Sequence, residues 1–165
     1  METEKFVPTR AQRLRLLIED FHCDYAAALD GCEIEKWPGF FTDDALYRVI
    51  ARDNWDAGLP LCLMLCDGQG MLRDRAYAIA HTEMYAPRCV QHQISLTRVL
   101  SEEGGCIQAQ ANYAIYETLI DEPTRILQVG RYRDQFVWSG DRLLLRARDC
   151  VYDTVLVPNC QVFPA

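Results

Sequence analysis

The segment from Thr9 to Gly31 carries the apolar spacing of a long α-helix. Apolar residues recur in it at steps of three and four, which places them on one face of a helix; they are Leu14, Leu17, Ile18, Phe21, Tyr25, Ala28 and Leu29. Thr9 followed by Gln12 fits a capping box at the start of this helix. Asp30 and Gly31 predict its end, with the glycine in the left-handed conformation.

Two further helices and two strands are predicted before residue 88. Residues 33–40 favour a short helix, and residues 71–87 favour a third helix that ends at Pro87. The segment FTDDALYRVI (41–50) alternates like a strand, and LCLMLC (61–66) is typical of a short buried strand. Residues 53–60 are expected to form a loop.

From Arg88 onward the apolar period changes from helical to two-fold. The four alternating segments are QHQISLTRVL, CIQAQANYAIYET, ILQVGRYRDQFVWS and RLLLRARDCVYDTVL. Turn signals at Gly104-Gly105, Asp121-Glu122-Pro123 and Gly140-Asp141 separate them. Four long strands joined by short turns predict an antiparallel meander. The order of elements predicts an α+β fold, in which three N-terminal helices pack on a strongly curved antiparallel sheet. We expect a single domain over residues 1–165, with residues 1–9 as a mobile arm.

Composition and charge argue against several classes of function. The net charge of −7 argues against a nucleic-acid surface and against an anionic membrane surface. The longest strongly apolar run, LPLCLMLC (59–66), is too short to span a bilayer. The N-terminus has no apolar signal region, so we expect a cytoplasmic protein. The eight cysteines include no C-x-x-C pair, and we expect them to be mostly buried free thiols.

One motif raises the question of a metal site. Cys89 and His92 form a C-x-x-H pair, which is half of the ligand pattern of a Rieske iron–sulfur cluster. The second half, C-x-H, does not occur in the sequence. A non-haem iron site needs two histidines and a carboxylate, and the chain has three histidines, His22, His81 and His92. P-loop, G-x-G-x-x-G and G-x-S-x-G motifs are also missing from the sequence. We therefore expect no metal and no cofactor in this chain.

A pocket between the helices and the sheet leaves two interpretations open. In one, His92 or His81 works with Asp44 and Tyr47 in general acid–base chemistry near neutral pH. In the other, Asp44 caps a turn, Tyr47 packs in the core and the histidines satisfy strand ends. A second feature, GRYRDQFVW (130–138), alternates Arg131 and Arg133 with aromatic residues. It is typical of a salt-bridged strand or an arginine-rich protein interface.

The order of these segments resembles the small (beta) subunit of bacterial aromatic-ring-hydroxylating oxygenases, from about Leu14 to Pro158. Four motifs carry the resemblance: Trp37 before FTDDA; Leu72 with Asp74 and Arg75; Arg88 with His92 and Ser95; and Gly130 with Arg131 and Asp134. One departure lies at Ser95-Leu96-Thr97, because the family usually has asparagine after the serine.

The resemblance implies a cystatin-like or nuclear transport factor-like cone and a structural role without an active site. It also implies a large oxygenase subunit as partner, in an assembly of three subunits of each kind. That partner would carry the Rieske 2Fe–2S cluster and the mononuclear iron, with ferredoxin and an NAD(P)H reductase in the wider system. Expected subunit contacts are Trp37, Phe40, Arg131, Arg133 and Trp138.

The overall character of the motifs favours an aromatic carboxylate as substrate of the system, such as salicylate, anthranilate or terephthalate. Two alternatives remain. The first is a stand-alone isomerase or dehydratase that uses His92, Asp44 and Tyr47. The second is a homo-oligomeric ligand-binding protein with no chemistry.

Overall fold

A computed structural model describes residues 7–82, 84–156 and 161–165. Its helices are α1 (Arg10–Asp30), a 3₁₀ helix (Ile34–Phe40), α2 (Arg52–Asp56) and α3 (Gly68–His81). Its strands are β1 (Phe41–Ala51), β2 (Met64–Asp67), β3 (Arg88–Glu103), β4 (Cys106–Leu119), β5 (Arg125–Ser139) and β6 (Arg142–Tyr152). The predicted α+β fold is confirmed.

The six strands form one sheet in the order β2-β1-β6-β5-β4-β3. The predicted meander is confirmed, because β3 to β6 pair antiparallel with their chain neighbours. The sheet is not wholly antiparallel, since β1 runs parallel to β6. A tight hairpin enforces antiparallel pairing only between the strands it joins, and β1 is separated from β6 by the whole meander.

Helix α1 begins as the sequence predicts. The Gln12 side chain accepts a hydrogen bond from the Thr9 backbone N–H at 2.7 Å, and the Thr9 hydroxyl accepts one from the Gln12 N–H at 3.3 Å. Thr9 is therefore the N-cap of α1, and residues 1–6 lie outside the described residues. The helix packs its apolar face on β3 and the core.

The end of α1 differs from the prediction. Gly31 has φ −77°, and Cys32 is the left-handed residue with φ 58°. Glycine is needed at 31 for a different reason, because a Cβ there would lie 2.9 Å from the Ala27 carbonyl oxygen. The chain turns so tightly that a side chain does not fit.

Three element predictions need correction. Helix α3 begins at Gly68 and ends at His81, six residues before Pro87. The expected loop at residues 53–60 overlaps the short helix α2, which covers Arg52–Asp56. Strand β2 alternates instead of being buried throughout, with Met64 and Cys66 inside and Leu65 exposed, because it forms the edge of the sheet and covers the core with one face only.

The cysteines are also less buried than expected. Cys66 and Cys150 are buried, whereas Cys23, Cys32 and Cys89 are exposed. Two more thiols, those of Cys62 and Cys106, are half-buried. Cys160 lies outside the described residues. In the described part of the chain, no helix is both long and apolar enough to cross a membrane.

Two local irregularities shape the sheet next to α1. The pairing of β3 with β4 shifts register between Ser95 and Arg98, where Leu96 takes a φ of 53°. Gly130 in β5 lies so close to β6 that a Cβ would stand 2.2 Å from the Val151 carbonyl oxygen. The bulge at Leu96 bends β3 and increases its twist, and the close approach at Gly130 brings β5 and β6 together; both help the sheet to curve around the helix.

Candidate functional site

A pocket of about 560 Å³ lies between α1 and strands β3 to β5. Glu19, His22, Cys23 and Ala26 line it from the helix, and the sheet side includes His92. Two histidines thus reach one pocket from two elements. His22 lies on the apolar face of α1, and His92 lies on the inward face of β3.

His92 is held by the last residue of α1. Its Nδ1 lies 2.6 Å from Asp30 Oδ1, and its backbone N–H donates to both carboxylate oxygens of Asp30 at 3.1 and 3.0 Å. This carboxylate ties the end of the helix to the middle of the edge strand. The other ring nitrogen, Nε2, is buried and has no partner among the described residues.

His22 belongs to a buried ionic cluster. Its Nε2 lies 3.3 Å from Asp134 Oδ2, and Arg148 donates to both oxygens of the same carboxylate at 2.8 Å. The side chains of Asp134 and Arg148 have no exposed surface. The Arg148 guanidinium also lies over the rings of Tyr25 and Tyr132, at 4.3 and 4.1 Å from their centroids.

The pKa values of this cluster follow from burial and pairing. Burial raises the pKa of Asp134, but the charge and hydrogen bonds of Arg148 outweigh it, so the net pKa is lowered. Burial lowers the pKa of Arg148, and the Asp134 carboxylate raises it by more. Burial lowers the pKa of His22, against the opposing hydrogen bond to Asp134. The cluster is therefore an ion pair with a neutral imidazole beside it at pH 7.

The Tyr47 hydroxyl forms its hydrogen bonds with a backbone segment instead of lining a pocket. Its hydroxyl accepts from the Ala165 N–H at 2.7 Å and donates to the Ala165 carbonyl oxygen at 3.1 Å. The Tyr25 hydroxyl donates to the same carbonyl oxygen at 3.0 Å and accepts from Trp37 Nε1 at 3.0 Å. Burial raises the pKa of Tyr47 well above its ordinary value, so the hydroxyl stays protonated and structural.

Residues 11–149 match the SnoaL-like domain family. The chain belongs to that family. A curated relative, the small subunit of anthranilate 1,2-dioxygenase of Burkholderia cepacia, is 31% identical over 85% of this chain and 87% of the relative. Another relative is the beta 2 subunit of the terminal oxygenase component of terephthalate 1,2-dioxygenase from Comamonas. It is 29% identical over 89% of this chain and 96% of the relative.

A solved structure agrees with these relatives. This structure is described as the beta subunit of an aromatic-ring-hydroxylating dioxygenase from Novosphingobium aromaticivorans. Its TM-score is 0.83, and the two sequences are 39% identical over 90% of this chain and 94% of that chain. The resemblance to dioxygenase small subunits is therefore confirmed, and the predicted α+β fold is that of a SnoaL-like domain.

This SnoaL-like chain does not assemble the acid–base set suggested by the sequence. His92 is bonded to Asp30, and Tyr47 is bonded to Ala165. Asp44 is exposed, accepts a hydrogen bond from the Thr42 hydroxyl at 2.8 Å and lies 3.5 Å from Arg146. The three residues are held by three separate sets of partners, so the structure does not bring them together as one catalytic set.

The residues of the C-x-x-H pair do not fit an iron–sulfur cluster. Cys89 is exposed, whereas His92 is buried and bonded to Asp30. They lie three residues apart on one strand and therefore on opposite faces. His81 binds the Tyr77 carbonyl oxygen in its own helix, and Glu83 lies outside the described residues. Within the described ranges, no three His, Cys, Asp or Glu residues group as metal ligands.

The expected interface residues separate into two kinds. Trp37 is fully buried and packs on Phe41 and Tyr47, so its assignment as a subunit contact is wrong. Phe40 is partly buried against the core, Arg131 and Arg133 are half-buried on β5, and Trp138 is 39% exposed. These four remain candidates.

Sequence reasoning missed the roles of His22 and Arg148. A signal was present for each. His22 lies next to Phe21 on the apolar stripe of α1, where a polar residue must find a buried partner. Asp134 shares the inward register of Tyr132 and Phe136, which predicts a buried carboxylate and hence a buried cation.

Proposed function

We propose that this chain is the non-catalytic, structural small subunit of the terminal oxygenase of an aromatic-ring-hydroxylating system. The observation that carries the proposal is the similarity to dioxygenase small subunits over nearly the whole chain. The internal pairing of its buried polar groups supports a structural role. Asp134, Arg148 and Tyr47 are all bonded within the chain.

The partner is a large oxygenase subunit, and we propose an assembly of three subunits of each kind. In it, the large subunit carries the Rieske 2Fe–2S cluster and the mononuclear iron, and receives electrons through ferredoxin and an NAD(P)H reductase. The ring substrate we propose is an aromatic carboxylate. The names of two relatives, which specify anthranilate and terephthalate, support that class.

The outer β4–β5 face is the surface we propose for docking. It is formed by the outward residues Gln108, Gln110, Asn112, Arg131, Arg133 and Gln135. Arg133 Nη1 donates to Gln110 Oε1 at 2.5 Å, which holds one guanidinium against the sheet. No carboxylate occurs among these six residues, although the chain has a net charge of −7. A patch of arginines and amides is suited to a polar protein interface.

The test is co-expression of this chain with the large subunit of the same system. We expect a red-brown complex that contains iron and sulfide and that co-purifies at a constant ratio of subunits. The double variant Arg131→Glu/Arg133→Glu should retain at most about one tenth of the large subunit, because each substitution places a carboxylate at a buried polar contact.

The matched control is Arg13→Glu/Arg73→Glu, which makes the same change of charge on exposed faces of α1 and α3. We expect it to co-purify like the wild type. A chain that stays colourless and monomeric beside the large subunit would refute the proposed function. Equal retention by the two double variants would refute only the docking surface.

A further inference from the structure

The QVFPA segment (residues 161–165) lies inside the core rather than on its surface. Val162, Pro164 and Ala165 are buried, and the segment carries no charged side chain. No hydrogen bond between backbone groups joins it to the other described residues. The segment is therefore part of neither the sheet nor a helix, and contacts that involve side chains hold it in place.

Three polar side chains of the core converge on the backbone of Ala165. The Tyr47 hydroxyl accepts from its N–H at 2.7 Å and donates to its carbonyl oxygen at 3.1 Å. The Tyr25 hydroxyl donates to the same oxygen at 3.0 Å, and the Cys150 sulfur lies 3.7 Å from it. Strand β1, helix α1 and strand β6 thus bind one residue between them, and none of the three residues that bind it has exposed surface.

An amide and an aromatic ring hold the other end of the QVFPA segment. Gln128 Nε2 donates to Gln161 Oε1 at 3.1 Å, and the Tyr113 hydroxyl fixes Gln128 by donating to its Oε1 at 2.7 Å. The Phe163 ring packs edge-on against Tyr85, with 5.0 Å between the ring centroids. The segment is therefore anchored at both ends without pairing to any strand of the sheet.

This mode of attachment allows the segment to leave while the sheet stays folded. Segments with few regular backbone hydrogen bonds open locally, at a lower free energy than global unfolding. Release would uncover the hydroxyls of Tyr25 and Tyr47 and the thiol of Cys150. Buried polar groups are nearly always paired, so these groups would then need water in place of the Ala165 backbone.

We infer that the QVFPA segment is a removable plug, which closes the interior of the core and controls access to Tyr25, Tyr47 and Cys150. With the plug in place, the Cys150 thiol has no exposed surface, and burial raises its pKa. The thiol is therefore protonated and unreactive until the segment leaves. The inference is independent of the proposed subunit function, because it concerns only contacts within this chain.

The test is alkylation of the purified full chain by iodoacetamide, with each cysteine quantified by peptide mass spectrometry. In the wild type, we expect the rate at Cys150 to change less than about twofold between 0 and about 1 M urea, because release of a short segment exposes little surface. A reaction that requires global unfolding would speed up about fivefold or more over the same range.

Removal of the plug should expose one buried thiol and not another. In a variant that lacks residues 161–165, we expect the rate at Cys150 to rise at least about tenfold, because a thiol reacts only where the reagent reaches it. Cys66 is the internal reference, since it is 1% exposed and lies on β2, away from the contacts of the segment. Its rate should stay at the wild-type value.

A pair of tyrosine variants tests the attachment itself. Tyr47→Phe removes the hydroxyl that binds both backbone groups of Ala165 and should raise the rate at Cys150 at least about threefold. Tyr132→Phe is the matched control, because its hydroxyl is equally buried but has no partner in the described part of the chain. That variant should react like the wild type.

Four results would overturn the inference. The first is a rate at Cys150 that rises with urea as steeply as global unfolding, and the second is unchanged protection of Cys150 in the deletion variant. The third is an equal rise at Cys66, because the segment would then merely stabilise the whole fold. The fourth is an equal effect of the two tyrosine variants, which keep the test decisive where the deletion variant fails to fold. The proposed subunit function is measured by co-purification and stands or falls separately.

Discussion

The two faces of strand β5 differ in how their charged side chains are paired. On its inward face, Asp134 lies between Tyr132 and Phe136 without exposed surface and is paired with Arg148 and His22. On its outward face, one residue away, Arg133 is half-buried and is bonded only to an amide, that of Gln110. The segment from Arg131 to Phe136 therefore holds one fully neutralised carboxylate and two guanidiniums without a carboxylate partner among the residues that the structure describes.

The difference indicates what each face does. A buried ion pair is costly to break, because removing one partner leaves an uncompensated charge out of water. The pair joins β5 to β6, and its contacts to His22 and Tyr25 connect it to α1. A half-buried arginine without an ionic partner contributes little to the stability of the chain itself and is available to a second molecule. The inner face serves the fold, and the outer face is the one we propose for association.

The largest effect is expected for Asp134→Asn. This substitution keeps the shape of the side chain but leaves the buried Arg148 without its counter-charge, so the free energy of unfolding should fall by about 3–5 kcal/mol. Urea denaturation at pH 7 measures it. The double variant Asp134→Leu/Arg148→Met should recover most of the loss, because it removes both charges. A loss below about 1 kcal/mol in the single variant would show that the inner face is not stabilised by this pair.

The pH dependence of stability should report on His22. Burial lowers its pKa in the folded chain below the ordinary value of 6.5. As the pH falls below 6.5, the unfolded chain binds a proton that folded His22 does not yet bind, so the free energy of unfolding falls. The slope for one proton is at most about 1.4 kcal/mol per pH unit, and it ends at the lowered pKa of the folded state.

Urea denaturation at several pH values measures this slope in the wild type and in His22→Gln. The variant lacks the group, so its stability should change less between pH 6.5 and the lowered pKa. His81→Gln is the control, because that histidine side chain is 46% exposed, and its profile should match the wild type. Asp134 titrates in a separate range, since its pKa is lowered from 3.8. Identical profiles for the wild type and His22→Gln would contradict the assignment.

The smallest effect is expected at the exposed bulge of β3. Leu96 is 72% exposed and has a φ of 53°, a conformation that asparagine tolerates better than leucine. Leu96→Asn should therefore raise the free energy of unfolding by about 0.5–1 kcal/mol. Thermal and urea denaturation measure the gain. Leu100→Asn changes another exposed leucine of β3 where the backbone φ is negative, and an equal gain there would exclude the backbone explanation.

The bulge also accounts for a departure noticed in the sequence. The family resemblance leads one to expect asparagine at the position of Leu96, and the positive φ gives a physical reason for that expectation. The sequence alone shows that the residue differs. Only the backbone conformation shows that the position prefers asparagine for a local reason.

Local sequence patterns predicted the structure correctly where a single short-range interaction determines it. The Thr9–Gln12 capping box forms as expected, because both hydrogen bonds join residues three apart. The alternation of β4 placed Ile107, Tyr113 and Ile115 inside correctly, because successive strand residues must point to opposite faces. The family resemblance rests on the order of such segments, and it held over the whole matched region.

Predictions failed where the outcome depends on residues far apart in the chain. Trp37 is an interface candidate by residue type, yet its indole is buried and donates to Tyr25. Tyr47 and His92 suggest a shared catalytic site, yet their partners are Ala165, at a separation of 118 residues, and Asp30, at 62. No local pattern contains that information.

The sequence by itself determined most of the helices and strands, most of their inward faces and the family, because these depend on spacings of a few residues and on segment order. The tertiary structure alone decided which polar groups meet. The ion pair of Asp134 and Arg148, the two histidines on one pocket and the parallel pairing of β1 with β6 all join distant segments. These contacts form only once the sheet has curved around α1 and water has been excluded from between the helix and the sheet.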